Sequence, residues 1–310
     1  LVAAWLLLFG AFSILLPESF PTARNLETII RQTVIVGFAA IGMTYVIITG
    51  EIDLSVGSLV ALITVVVAKC LSVGMHPALA AAAGLGVGMA GGLFNGLLVT
   101  RLGIGSFIAT LATLLAFRGI AKGLANEQKV NVPMTWLSQF TAALKPDQRW
   151  MLLPIGGWLV VLLAVSAAWT LRSTVFGRHA VAVGSNEATA RMCGVPTLRV
   201  RLAVFALAGL FFGLSGLMQF SRLTVGDPTV AAGLELSVIA AVVIGGASLS
   251  GGEGSVFGSL VGALIMTTIA SGASQMGWPN WIQEIVTGAI ILGAVALDRR
   301  RLGFGSSGAG

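Results

Sequence analysis

A polar interruption in the middle of a long apolar run constrains this chain more than any other feature. Gly50-Glu51-Ile52-Asp53-Leu54-Ser55-Val56-Gly57-Ser58 lies between apolar sequence at 33–48 and 59–71. Two acids, two serines and two glycines in that stretch rule out a plain lipid-facing helix. Within hydrocarbon each unsatisfied polar group costs several kcal/mol, so irregular backbone persists only where protein or water covers it. A carboxylate at such depth is costly too, and by default signals function. The interruption reads as a polar path or gate inside a membrane protein.

Composition agrees. Of 310 residues, 56% are hydrophobic, 10% are charged and 41 are glycine. A soluble domain needs far more charge to cover its surface. Apolar windows recur from end to end without a shift in composition, so residues 1–310 read as a single integral domain, all-α and polytopic. The net charge of +6 does not point to nucleic acid. Its arginines gather between Arg172 and Arg201 and at Arg299, Arg300 and Arg301, bordering apolar runs as positive-inside loops do. Cys70 and Cys193 lie far apart and suit neither a disulfide nor a metal, and His76 and His179 are equally isolated. The chain opens at Leu1 inside an apolar run, without the basic start or cleavage site of a signal peptide, which fits a trimmed amino terminus. Residues 305–310 read as a flexible tail.

A membrane span needs about 20 apolar residues. The candidate spans are 1–16, 33–48, 56–71, 78–99, 106–125, 150–171, 202–220, 236–244, 256–271 and 282–297, about ten helices with interrupted segments. An even number places both termini on one side. The basic loop 172–201 and the arginines at 299–301 then fall together on the cytoplasmic face. The stretch 126–149, with Pro133 and Pro146, falls outside, and Trp150, Trp278 and Trp281 stand at span ends. In 106–125, Arg118 and Lys122 either snorkel to the interface or mark a re-entrant segment.

Gly84, Gly88, Gly92 and Gly96 recur every fourth residue, a small-residue stripe that lets another helix backbone approach closely. Gly86-x-Gly88-x-x-Gly91 matches a dinucleotide fingerprint formally, but no strand precedes it and it lies in hydrocarbon. Val46-Ile47-Ile48-Thr49-Gly50 and Gly57-Ser58-Leu59-Val60 are echoed by Val242-Val243-Ile244-Gly245-Gly246 and Gly258-Ser259-Leu260-Val261. Paired interrupted helices of this kind meet near the substrate path of transporters, although chance similarity in a Gly/Val/Leu-rich chain is the competing account.

None of the four lysines precedes Ser or Thr, so the chain has no Walker-type ATP site, and no Gly-x-Ser-x-Gly elbow appears. An enzyme is not indicated. Glu51, Asp53 and Ser55 face a path or gate, or else Asp53 or Ser55 caps the helix that starts at Val56. Asn95, Ser106 and Thr110 are polar residues in apolar runs that line the same path or bond between helices. In the basic loop, Ser185 or Asn186 can cap a short helix with Glu187 in its first turn, Arg191 at i+4, Gly194 as its stop and Pro196 beyond. Such a helix is too short to be stable alone and needs packing or a partner.

The interrupted segment resembles the Gly-x-Ile-Asp-Leu-Ser-Val-Gly signature of the ribose/xylose/rhamnose-type permeases of bacterial ABC importers. Gly92-Leu93-Phe94-Asn95-Gly96-Leu97-Leu98-Val99, Thr110-Leu111-Ala112-Thr113 through Arg118-Gly119, Phe176-Gly177-Arg178, Gly184-Ser185-Asn186-Glu187-Ala188 and Val242-Val243-Ile244-Gly245-Gly246 to Gly251-Gly252 resemble that family's later segments in order. Glu51 stands where many members carry Gly, which leaves a substrate-related role open to it. The resemblance implies a monosaccharide importer (pentose, hexose or deoxyhexose) in the bacterial inner membrane, working by alternating access. Its implied partners are a second permease subunit, as homo- or heterodimer, a cytoplasmic ATPase that binds ATP and Mg, and a periplasmic sugar-binding protein. The chain itself carries no cofactor on this reading. Asn186, Glu187, Arg191 and Gly194 then belong to a coupling helix seated in the ATPase. The alternative is an ion-coupled secondary transporter of a small polar solute, which also uses broken helices.

Overall fold

The computed structural model describes residues 1–144 and 150–306; Lys145, Pro146, Arg149 and the end of the glycine-serine tail lie outside the described residues. The helices are α1 (Val2–Leu15), α2 (Ala23–Ile48), α3 (Val56–Ser72), α4 (Pro77–Thr100), α5 (Ser106–Leu124) and α6 (Ile155–Ser173). They continue as α7 (Val175–Ser185), α8 (Glu187–Met192), α9 (Thr197–Leu223), α10 (Leu234–Ile244), α11 (Val256–Gln275) and α12 (Asn280–Ser306). A two-residue antiparallel ladder joins β1 (Val130–Asn131) to β2 (Val225–Gly226), in the register Val130 to Gly226. Among the described residues, α2, α4, α5, α6, α9 and α11 are long and apolar enough to cross a membrane, while α1, α3 and α10 are shorter apolar helices. The fold is all-α and polytopic.

Several boundaries differ from the sequence expectation, each for a local reason. α2 starts at Ala23 rather than Thr33 because the Thr22 hydroxyl accepts the Asn25 N–H (3.3 Å) and caps it. Polar residues up to Gln32 therefore belong to the same helix. α6 begins only after Pro154, and α9 begins at Thr197. The basic loop holds one helix more than expected, α7, whose first turn is capped by the Thr174 hydroxyl accepting the Gly177 N–H (3.2 Å).

The ambiguous fifth segment resolves as a single 19-residue helix. Arg118 turns inward, and its Nη1 donates to the carbonyls of Pro228 (3.0 Å) and Val230 (2.7 Å). It anchors the loop between β2 and α10 instead of snorkelling, while Lys122 is exposed.

α2 is the central helix, buried along its whole second half from Val34 to Ile48. Hydroxyls tie it to its neighbours: Tyr45 to the Ala167 carbonyl (2.6 Å), Ser215 to the Ile35 carbonyl (2.8 Å) and Thr44 to Ser259 Oγ (2.7 Å). Each such bond contributes about 0.6 kcal/mol in a membrane, so close packing must supply the rest. The glycine stripe does this. A Cβ at Gly88 would lie 2.7 Å from the Gly213 Cα, and one at Gly92 would lie 2.8 Å from the Gly209 Cα, so α4 and α9 meet backbone to backbone. Gly84 faces Ile63 and Val67 of α3, and Gly96 faces Leu202 and Phe205 of α9.

Substituting Gly92→Leu should therefore destabilise the bundle by about 3 kcal/mol, since backbone cannot yield as a side chain would. Gly86→Ala, facing open space on the same helix, should be neutral or stabilise by up to about 1 kcal/mol. Thermal unfolding of the two variants in detergent measures the contrast, and equal midpoints would contradict the packing assignment.

Candidate functional site

α2 stops at Gly50, whose φ of +77° is strained for any residue with a Cβ. The Gly50 N–H returns to the Ile47 carbonyl (2.9 Å) and the Glu51 N–H to the Val46 carbonyl (3.1 Å), closing a Schellman cap. Beyond it the backbone is non-helical until α3, and α5 supplies the missing partners. Ser106 Oγ accepts the Ile52 N–H (3.2 Å), and Thr110 Oγ1, one turn on, accepts the Leu54 N–H (3.0 Å). The Thr110 hydroxyl also reaches the Ile52 carbonyl (3.2 Å). One face of an intact helix thus serves as template for a broken one.

Asp53 is fully buried in the same place. Its Oδ1 accepts the Ser55 N–H (2.8 Å) and hydroxyl (2.7 Å), and its Oδ2 accepts Asn95 Nδ2 from α4 (3.2 Å), which also donates to Ser55 Oγ (2.8 Å). The carboxylate therefore holds the turn leading into α3, whereas the Ser55 side chain makes no capping bond of its own. Asp53, Ser55, Asn95, Ser106 and Thr110 meet in one network, and Asn95 Oδ1 is buried there without a hydrogen-bond partner among the described residues.

Glu51 takes different partners. Its carboxylate pairs with Arg201 near the start of α9 (3.1 Å), and Arg201 pairs with Glu187 in the first turn of α8 (2.8 Å). Glu187 also accepts Arg191 Nη2 (2.8 Å). The ion pairs form a relay from the interrupted segment to an exposed surface helix. That helix has the expected construction: Asn186 Oδ1 accepts the Thr189 N–H (2.9 Å), and the Gly194 N–H returns to the Arg191 carbonyl (3.0 Å). Met192 projects from it almost wholly into the open, at 89% exposure.

The sequence echo has a geometric counterpart. α10 ends at Gly246 (φ +94°) in the same cap, with the Gly246 N–H on the Val243 carbonyl (2.9 Å) and the Ala247 N–H on the Val242 carbonyl (3.1 Å). The Ser255 hydroxyl then caps α11 by accepting the Gly258 N–H (3.2 Å). The two breaks touch, since the Gly252 N–H donates to the Ile48 carbonyl (2.8 Å). α7 closes over both: a Cβ at Gly184 would overlap that carbonyl, and Gly251 abuts Gly50. Both broken helices and the α7–α8 segment therefore share one end of the bundle.

At the other end lie polar residues that sequence reasoning missed. A cavity of about 670 Å³ is lined by the N-cap Thr22, by Asn25, Thr28 and Gln32 of α2 and by Ser271, Ser274 and Gln275 of α11. A second, of about 250 Å³, lies deeper along the same helices and is lined by Gln32, Gln219, Arg222, Ser237 and Thr267. The signal was present as polar residues at helical spacing on both helices. Starting the span at Thr33 had cut the α2 stripe away.

The chain matches the family model described as "Branched-chain amino acid transport system / permease component" over residues 25–295. It is 37% identical over 258 residues to the ribose import permease protein RbsC of Escherichia coli, covering 83% of this chain and 80% of that one. It is 36% identical to the L-arabinose ABC transporter permease protein AraH of Azospirillum brasilense, covering 84% and 75%. To the xylose transport system permease protein XylH of Escherichia coli it is 34% identical, covering 84% and 81%. No solved structure matches it.

Thr110→Val keeps the shape of α5 but leaves the half-buried Leu54 N–H without an acceptor. It should lower stability by about 1 kcal/mol, the net worth of a hydrogen bond lost at a half-buried donor. Thr113→Val, one turn further along and bonded only within α5 (Thr110 carbonyl, 3.2 Å), should cost less. Detergent-solubilised thermal melts of the pair check this.

Proposed function

This chain belongs to the transport-system permease family that its sequence matches, and on that premise we propose that it is the membrane subunit of an ATP-driven importer of a monosaccharide. The sugar assignment draws on the ribose, arabinose and xylose permeases, each similar to this chain over more than four-fifths of its length. Energy comes from a partner ATPase, and solute from a sugar-binding protein on the opposite face. A second permease subunit completes the passage. The α8 end faces the cytoplasm of a bacterial inner membrane, together with both termini, in keeping with Arg101, Arg191 and Arg199 around the groove beside α8.

The observation that carries the mechanism is the relay Glu51–Arg201–Glu187. α8 is the element that docks into the ATPase, with Asn186, Glu187, Arg191 and Gly194 forming and ending it. Movement of α8 is felt at Glu51 because the inner links are shielded: the Glu51 and Arg201 side chains are 10% and 21% exposed. Shielded pairs are screened far less than the outer pair with Arg191, 64% exposed and worth about 0.3–0.5 kcal/mol. Glu51 adjoins Gly50, where a residue already outside helical geometry can absorb a change in backbone angles, as hinges do. The gate is the Asp53, Ser55, Asn95, Ser106 and Thr110 network. Its hydrogen bonds hold α3 in one arrangement against α4 and α5, and breaking them lets α3 shift. Nucleotide-driven closure of the ATPase pulls on α8, the two broken helices re-align, and access alternates between faces.

Reversing both charges of α8, by Glu187→Arg with Arg191→Glu, preserves its own i,i+4 pair but sets Arg against Arg201. Transport-linked ATP hydrolysis in proteoliposomes should fall at least tenfold, and unchanged hydrolysis would remove α8 from the coupling. Glu51→Gln should lower sugar uptake per ATP hydrolysed while leaving the amount of inserted protein unchanged. Reconstituted without its ATPase, the chain should concentrate no pentose. Uphill uptake driven by a proton or sodium gradient and lost in Asp53→Asn would instead identify a secondary transporter.

A further inference from the structure

Gln219 is 8% exposed, and its amide makes no hydrogen bond among the described residues. Its amide atoms are not sealed within the protein, so they open onto accessible space rather than onto a protein partner. Gln219 borders the cavity of about 250 Å³ between α2, α9, α10 and α11. Gln32 faces the same space from α2, Arg222 lines it without an ion pair among the described residues, and Ser237 and Thr267 add hydroxyls. The remaining wall is apolar, formed by Ile35, Val36 and Met266 among others. Gln32 and Ala270 also line the wider, hydroxyl-rich cavity of about 670 Å³, so the two adjoin. α9 runs 27 residues from α8 to Leu223, about 40 Å, which sets Gln219 near the end remote from the ATPase-docking helix.

We propose that this cavity is a solute-binding site on the entry side of the passage, and that Gln219 and Gln32 recognise the hydroxyl groups of a single neutral sugar ring. The proposal rests on the importer reading above. An amide offers a donor and an acceptor side by side, the demand that a hydroxyl makes, and the guanidinium of Arg222 adds donors. The apolar wall suits the C–H face of a sugar ring, so the lining matches a ligand that is polar at its rim and apolar on its face. No Asp or Glu lines either cavity. The ammonium group of an amino acid would find no counter-charge there, which separates this site from one built for the solute in the family's description. The Asp53 network has the opposite character: apart from Asn95 Oδ1, its side-chain polar atoms bond to backbone and to one another, and it borders neither of these spaces.

The test uses the complete transporter, with ATPase and binding protein, and D-ribose, L-arabinose and D-xylose as probes. Gln219→Leu should raise the KM for uptake of the transported pentose at least tenfold with a smaller change in kcat, and Gln219→Asn should recover part of the loss. In a background carrying Cys70→Ser and Cys193→Ser, Gln32→Cys should react with a membrane-impermeant maleimide from the entry side. Saturating pentose should slow that labelling at least fivefold, without affecting Ser72→Cys at the exposed end of α3. Should Gln219→Leu fail to insert, the labelling result decides by itself. If the unaltered transporter imports a pentose while sugar leaves both the KM of Gln219→Leu and the labelling of Gln32→Cys unchanged, the site assignment fails and the importer reading stands. If it imports none of the three sugars but takes up leucine, the importer reading fails and the site assignment falls with it.

Discussion

Inside a bilayer a peptide N–H has no water to turn to, and a chain that leaves the helix must find a protein acceptor for every one it frees. Here two hydroxyls a turn apart on α5, Ser106 and Thr110, accept the N–H groups of Ile52 and Leu54. The break between α2 and α3 exists because that face of α5 is polar in the right two places. The carboxylate of Asp53 can then be buried, since Ser55 and Asn95 supply its donors from the turn itself and from α4. Everything at this end of the bundle follows from that arrangement, including the contact with the second break at Gly252 and the seat that Gly184 finds against Ile48.

Such an arrangement suits a moving part better than a static one. Hydroxyl-to-backbone bonds are individually modest, so a broken helix held by a few of them can exchange one set for another at small cost. Rigidity comes from elsewhere, from the contact of α4 with α9, where Gly88 and Gly92 meet Gly209 and Gly213 without side chains between them. A stiff helix pair beside two interrupted helices gives motion a defined place. The ion pairs through Arg201 connect that place to the exposed surface of α8, and the inner pairs are the less exposed ones.

The buried polar residues accordingly divide into two kinds. Those around Asp53 spend nearly all their hydrogen-bonding capacity on the protein and serve its conformation. Along α2 and α11, Asn25 is bonded to Ser271 and Gln275, but Gln32 and, on α9, Gln219 border open space with no hydrogen-bond partner among the described residues. A polar residue in an apolar helix is therefore not in itself evidence of a solute path, and what separates the two cases is whether its atoms are already satisfied. Arg118 shows the same point: its position in α5 suits either snorkelling or a re-entrant segment, and it instead holds the carbonyls of Pro228 and Val230 from within a continuous helix.

Much was legible in the residue order because the bilayer leaves few options. Apolar runs of span length, the break at Gly50, the stripe from Gly84 to Gly96 and the cap and stop of α8 are local patterns, and local physics suffices to read them. The echo between Val46–Gly50 and Val242–Gly246 was visible too, although that both stretches end in the same cap and touch one another was not. Partnership is a property of three dimensions. Glu51 and Asp53 stand two residues apart, yet one answers to Arg201 and the other to Asn95, because the backbone between them is unwound and turns their side chains to different helices. Likewise the polar stripe of α2 borders a cavity only because α11 lies beside it and Gln219 of α9 opens onto the adjoining space.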